Sequence, residues 1–380
     1  MNTPNNVFTM PMIYYIYYGE HYYRNYADNL PGGFLMKNCG KSISICIVIF
    51  MCALSPVFSQ TEIKELQRAV NSFSGEMAKS LPFNSTIGLN WSDAYIGQLI
   101  SMPPHFGIGV SLGVTTIPIN SLNSILSAFD ADMMSKSNFP LGFTLPAYTV
   151  EARIGGFILP FDIGVKFGYL NMNKLNINMG GLDFGTNMGI KFMLIGADIR
   201  YALINSKLMP LKLSVGLGIN HLSGGISTEI PANSQSFAFT SGAKNYMLSA
   251  SDPVLDLEWE TTCLELKAHV SFPLFIITPY AGLGVSYAWS RSGYQLNSRI
   301  TVKEGGNTVP IDDVKGILND LGVTGISNNG FESMIESQDF NIRFYGGFSI
   351  NMAVMRLDLT GMYNIFTESL GLSIGLRFQL

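Results

Sequence analysis

The stretch HFGIGVSLGV, His105–Val114, alternates Phe106, Ile108, Val110, Leu112 and Val114 with Gly107, Gly109, Ser111 and Gly113. A period of two sends successive side chains to opposite faces of a strand, so one face here is uniformly apolar and the other nearly bare. The pattern returns in Leu213–Asn220 and in the closing run, where Leu370, Leu372, Ile374, Leu376, Phe378 and Leu380 oppose Gly371, Ser373, Gly375, Arg377 and Gln379. In other segments the second face carries charge. Val150, Ala152 and Ile154 oppose Glu151 and Arg153, and Ile163, Val165 and Phe167 oppose Asp162 and Lys166. Ile195, Ala197 and Ile199 oppose Asp198 and Arg200, and Leu264, Leu266 and Ala268 oppose Glu265 and Lys267. Ile342 and Phe344 oppose Arg343, and Leu357 and Leu359 oppose Arg356 and Asp358.

The composition agrees with an apolar wall divided among strands. Of 380 residues, 47% are hydrophobic and 13% charged, with 39 glycines and a formal charge of −4. A charged share about half the globular norm excludes the low-hydrophobicity, high-charge class of disordered chains. The absence of a basic surplus argues against a nucleic-acid partner. One apolar run stands apart: Met36–Ser59, MKNCGKSISICIVIFMCALSPVFS, has Lys37 and Lys41 ahead of an apolar core and small residues before Gln60. It has the form of a secretory signal peptide, and its core is shorter than the roughly 20 residues that span a bilayer as a helix. The expected organisation is a spurious or non-mature extension over 1–35, a signal peptide over 36–59, a helical or plug segment over 60–83 and the barrel over 84–380. Only Cys263 lies beyond Gln60, so no internal disulfide is expected.

Three features favour a membrane barrel over a soluble sandwich. The polar faces are glycine- and serine-rich, the segments approach the roughly 9–11 residues of an oblique span, and Tyr and Trp gather near strand ends. Connections also alternate between short and long along the chain, as periplasmic turns and outer loops do. About eleven strands are countable, beginning with Thr86–Tyr95. Because single-chain bacterial barrels favour even numbers, the expectation is all-β: a closed antiparallel transmembrane barrel of 12–14 strands. Either a further strand lies in Gln235–Leu248 or Leu175–Met188, or the amphipathic segment contributes. Before the barrel, Ile63, Leu66, Ala69, Val70, Phe73, Met77 and Leu81 recur at helical spacing, giving a short N-terminal helix that plugs the lumen.

Little in the chain reads as catalytic chemistry. His105, His221 and His269 have no close ligand spacing, so neither a metal nor another cofactor is expected. No nucleophile and base are paired, so an enzyme is not expected. The charged faces carry more weight. Glu151, Arg153, Asp162, Lys166, Asp198, Arg200, Glu265, Lys267, Arg343, Arg356, Asp358 and Arg377 are the lumen-facing candidates, either as ion pairs filling a narrow barrel or as a selectivity lining. In the long connection after Ile117, Leu122, Ile125, Leu126, Phe129 and Met133 are candidates for an outer apolar surface on a capping helix, and Val314–Leu321 reads as a second such helix.

The terminal LGLSIGLRFQL resembles the assembly signal of Gram-negative-type outer-membrane proteins, with Phe378 two residues before the end. The run LPFNSTIGLNWSDAYIGQLISMPPHFGIGVSLGVTTIP, Leu81–Pro118, resembles spirochaetal, treponemal-type outer-membrane proteins grouped with FadL-like long-chain fatty acid transporters. That resemblance implies a 14-stranded barrel in a bacterial outer membrane, reached through the periplasm. It also implies a lumenal plug, here Glu62–Leu81, and uptake of hydrophobic molecules. The partners it implies are the lipid bilayer, the outer-membrane assembly machinery and a fatty acid or other hydrophobic ligand. The functional expectation is a passive outer-membrane transporter for hydrophobic or amphipathic small molecules. The alternatives are a general porin for hydrophilic solutes and a structural or adhesive surface protein.

Overall fold

A computed structural model describes residues 60–96, 104–117, 143–156, 160–175, 178–179, 182–183, 188–205, 210–229, 235–241, 244–320, 326–327 and 330–379. Ten antiparallel strands form one closed ring. They are β1 (His105–Ile117), β2 (Phe143–Gly155), β3 (Phe161–Leu175), β4 (Met188–Ile204), β5 (Lys212–Glu229), β6 (Lys244–Ser271), β7 (Ile277–Glu304), β8 (Gly330–Met352), β9 (Met355–Asn364) and β10 (Ser369–Gln379). Each pairs with its chain neighbours, and β1 meets β10 from Gly107↔Gln379 to Thr115↔Gly371, which closes the circle. Closure gives every strand a partner on each side, so the ring has no free edge strand.

The expected closed barrel is therefore present, with ten strands in the ring in place of 12–14. Thr86–Tyr95 is not a strand. It is a coil inside the barrel whose polar groups are held by side chains, so it contributes nothing to the wall. Gln235–Ser241 forms a hairpin with the start of β6, and Asn178–Met179 with Leu182–Asp183 makes a separate small ladder. Neither enters the ring.

Short turns join β2–β3, β4–β5, β6–β7 and β8–β9 at one end, called here the turn end. The longer connections leave the opposite, loop end, where a tight turn also joins β9 to β10. On the loop side β6 and β7 run on together to Tyr246↔Glu304. There Tyr246, Leu248 and Val302 pack with Ile311, Val314 and Leu318 of helix α2 (Ile311–Asp320), the second helix read from the sequence.

Alternation sorts the wall as the sequence reading required. Phe106, Ile108, Val110 and Leu112 are exposed outside, while Gly107, Gly109 and Gly113 face the lumen. The part of helix α1 (Gln60–Ser85) from Phe73 onward and the strap Thr86–Ile96 occupy the interior, and every residue from Ser80 to Ile96 is buried. Gly107 shows why the inner face is bare. A Cβ there would lie 2.7 Å from the Trp91 ring of the strap, so only glycine admits the indole.

Candidate functional site

The interior divides into two halves. In the turn half all twelve charged candidates point inward, and all but Arg356 are buried. Burying them costs free energy unless each is paired and hydrogen-bonded. Arg153 pairs with Asp162 at 2.5 Å and Asp198 at 2.7 Å, and Arg200 pairs with Asp162 at 2.7 Å. Lys267 meets Asp198 at 2.5 Å, Arg343 meets Glu265 at 2.5 Å and Arg377 meets Asp358 at 2.8 Å.

The strap completes this network. Asp93 pairs with Arg356 at 2.7 Å and Arg377 at 3.1 Å. Among the twelve candidates seven cations face five carboxylates, and the strap adds the carboxylate of Asp93. Glu151 accepts from the Leu89 amide at 2.8 Å and the Trp91 indole at 2.6 Å. Lys166 donates to the Ser85 and Ile87 carbonyls, each at 2.7 Å. The Trp91 ring lies between Arg377 and Arg153, whose guanidinium carbons are 4.8 and 5.6 Å from its centroid. These charges therefore hold the strap, and among the described residues no group of His, Cys, Asp and Glu is placed to bind a metal ion.

The loop half is built differently. Strand β2 pairs with β1 along its whole length, up to Ile117↔Phe143, and β3 pairs with β4 up to Leu175↔Met188. Yet β2 and β3 pair with each other only from Gly155↔Asp162 to Val150↔Phe167. Beyond that point the two strands part, and the wall is split. At the fork the Tyr148 hydroxyl donates to the Tyr169 carbonyl. The Tyr148 carbonyl also lies against Gly168 so closely that a Cβ there would collide with it, which fixes glycine at the start of the split.

A cavity of about 950 Å³ borders this split, touching Tyr148 of β2 and Leu170 of β3. Inside, it is lined by Phe73 and Met77 of α1 with Leu145, Ala147, Phe192 and Trp259 of the wall. On the outer surface it continues over Leu112, Phe348, Leu372 and Ile374. Its lining residues come from both faces of the wall. Of the polar side chains along it, Asn84 is committed to Thr115 and the Leu145 carbonyl, and Lys191 stands exposed at the rim.

The outer surface carries an apolar band with a polar border on the loop side. On β7 the outward residues Leu283, Tyr287 and Trp289 are followed by Arg291, and on β4 Ile199 and Ile195 give way to exposed Lys191. The Leu122, Ile125, Leu126, Phe129 and Met133 candidates lie outside the described residues. Sequence reasoning missed the split, Asp93 and the cavity-lining Phe192 and Trp259. Only Asp93, an acid within an otherwise uncharged run, left a visible signal.

No protein-family model and no curated protein matches the sequence. Among solved structures, a major outer membrane protein of Thermus thermophilus is 11% identical with a TM-score of 0.27, covering 73% of this chain and all of its own. The outer membrane protease OmpT of Escherichia coli is 7% identical with a TM-score of 0.32, covering 76% of this chain and 100% of that one. The translocator domain of the autotransporter NalP of Neisseria meningitidis is 8% identical with a TM-score of 0.31, covering 83% and 97%. Likeness this distant carries no argument about function, which must come from the chain's own geometry.

Proposed function

We propose that this chain is a bacterial outer-membrane barrel that takes up hydrophobic or amphipathic small molecules, the β2–β3 split being their way into the lumen. The observation carrying this reading is the apolar cavity lined from both faces of the wall. The exposed apolar band supports membrane placement, since residues such as Leu112, Leu217 and Leu266 would otherwise stand in water. Interruption of the ladder at the height of that cavity supports a lateral route, because a spanning barrel otherwise keeps its backbone paired. The resemblance of Leu81–Pro118 to fatty-acid-transporter-like barrels agrees with this class of cargo.

In this reading the step is passive. An apolar molecule leaves water or lipid, passes between Tyr148 and Leu170 and settles against Phe73, Met77, Phe192 and Trp259. Below it the strap and the ion pairs fill the turn half, so onward passage requires the strap to shift. An open porin is the weaker reading for the same reason. Purified full-length protein in planar bilayers tests the choice. The expected result is little steady conductance, together with saturable binding of a fluorescent long-chain fatty acid to protein in liposomes. Large conductance that fatty acid does not block would overturn the proposal.

A further inference from the structure

We infer that the chain threads its own barrel from the loop end to the turn end, so that the amino-terminal end of α1 is presented on the loop side and a peptide joined there is displayed. Contacts along the interior segment fall in order of depth. At the loop end, Asn71 of α1 accepts from the Ser333 hydroxyl at 2.8 Å, and Ser333 lies near the loop-side start of β8. Lower down, Asn84 donates to the Leu145 carbonyl near the loop-side start of β2 at 3.0 Å. At mid-height the Leu89 amide reaches Glu151. At the turn end the Ile96 amide donates to Asp162, beside the turn-side start of β3, at 2.9 Å. No contact in this series reverses the order.

Roughly 16 Å of helix then continues past Asn71 to Gln60 at 1.5 Å per residue, leading away from the buried end. The polar tethers at Glu151, Asp93 and Asp162 fix the strap in this direction, and β1, the next described strand, begins at the turn end. The barrel thus works as a display scaffold as well as a container. Its interior segment leads out at the loop end, where a peptide would meet the medium that end meets.

From the proposed function this inference takes only the placement of the barrel in an outer membrane with the long loops outward. The test uses the full chain with one epitope tag at a time, between Gln60 and Thr61, in the Gly305–Gly306 loop turn, or in the Ala353–Val354 turn. Intact and permeabilised cells are stained, and only the folded, heat-modifiable form is scored. The expected result is that the Gln60 tag behaves as the Gly305 tag, stained on intact cells, while the Ala353 tag is stained only after permeabilisation. A Gln60 tag that follows the Ala353 tag would overturn the threading. If the Gly305 and Ala353 tags exchange behaviour, the outward placement of the loops fails, and the threading is still decided by which of the two the Gln60 tag follows. A protease site at the same point gives a second readout. Protease added to intact cells should release the Gln60 tag from the folded barrel, and its retention would count against display.

Discussion

The two halves of the lumen are walled by the same strands yet hold together by opposite means. In the turn half, inward positions are charged, the interior is full, and the strap is part of the packing. In the loop half, the inward positions along the cavity are mostly apolar, the ladder between β2 and β3 stops, and space remains. The turn half should therefore set stability and the loop half should set what the barrel binds.

Substitutions can break this division, and the largest effect belongs to the turn half. Asp162→Ala leaves Arg153, Arg200 and the Ile96 amide without their shared acceptor. It should cost about 3–5 kcal/mol, read as a lowered unfolding midpoint in detergent by circular dichroism. Next comes Glu151→Gln, which keeps the shape but removes the charge that receives Leu89 and Trp91. A loss of about 1–3 kcal/mol is expected, with faster protease cleavage in the strap. A variant as stable as the parent would mean that the strap is not held by this network.

In the loop half the order reverses. Ala147→Trp fills the cavity and should change stability by about 1 kcal/mol or less, because its ring enters empty space rather than packed core. Fatty-acid binding in a fluorescence titration should weaken at least about tenfold, or roughly 1.4 kcal/mol. Unchanged affinity would separate the cavity from the binding. The smallest effect is expected at the exposed rim, where Arg291 pairs with Glu260 at 2.5 Å. Arg291→Ala should shift stability by less than about 1 kcal/mol, the shift shrinking further in high salt.

The wall was legible in the sequence wherever alternation controlled burial. It placed Arg153, Asp198 and Lys267 on the inner face because a strand has only two faces and lipid-compatible residues fill the other. It misread Thr86–Tyr95 because its polar groups are satisfied by Glu151, Lys166 and Ser271 rather than by a neighbouring strand. A one-dimensional pattern does not record which partner takes a backbone hydrogen bond. The split was invisible for a related reason. Strands β2 and β3 keep their alternation past Val150 and Phe167, so the loss of pairing leaves no mark on either strand taken alone.

The seam between β1 and β10 dictates an order of assembly. It joins the first strand of the ring to the last, so the circle cannot close until Ser369–Gln379 has been made. The strap precedes β1 in the chain and must already lie within the curling sheet when that seam forms. Its charge partners come from β2, β3, β9 and β10, which share one interior only at that moment. A half-curled intermediate therefore holds guanidinium and carboxylate groups that have not yet found each other. Their late meeting makes closure cooperative, and a barrel that closes without its strap would trap unmatched positive charge inside it.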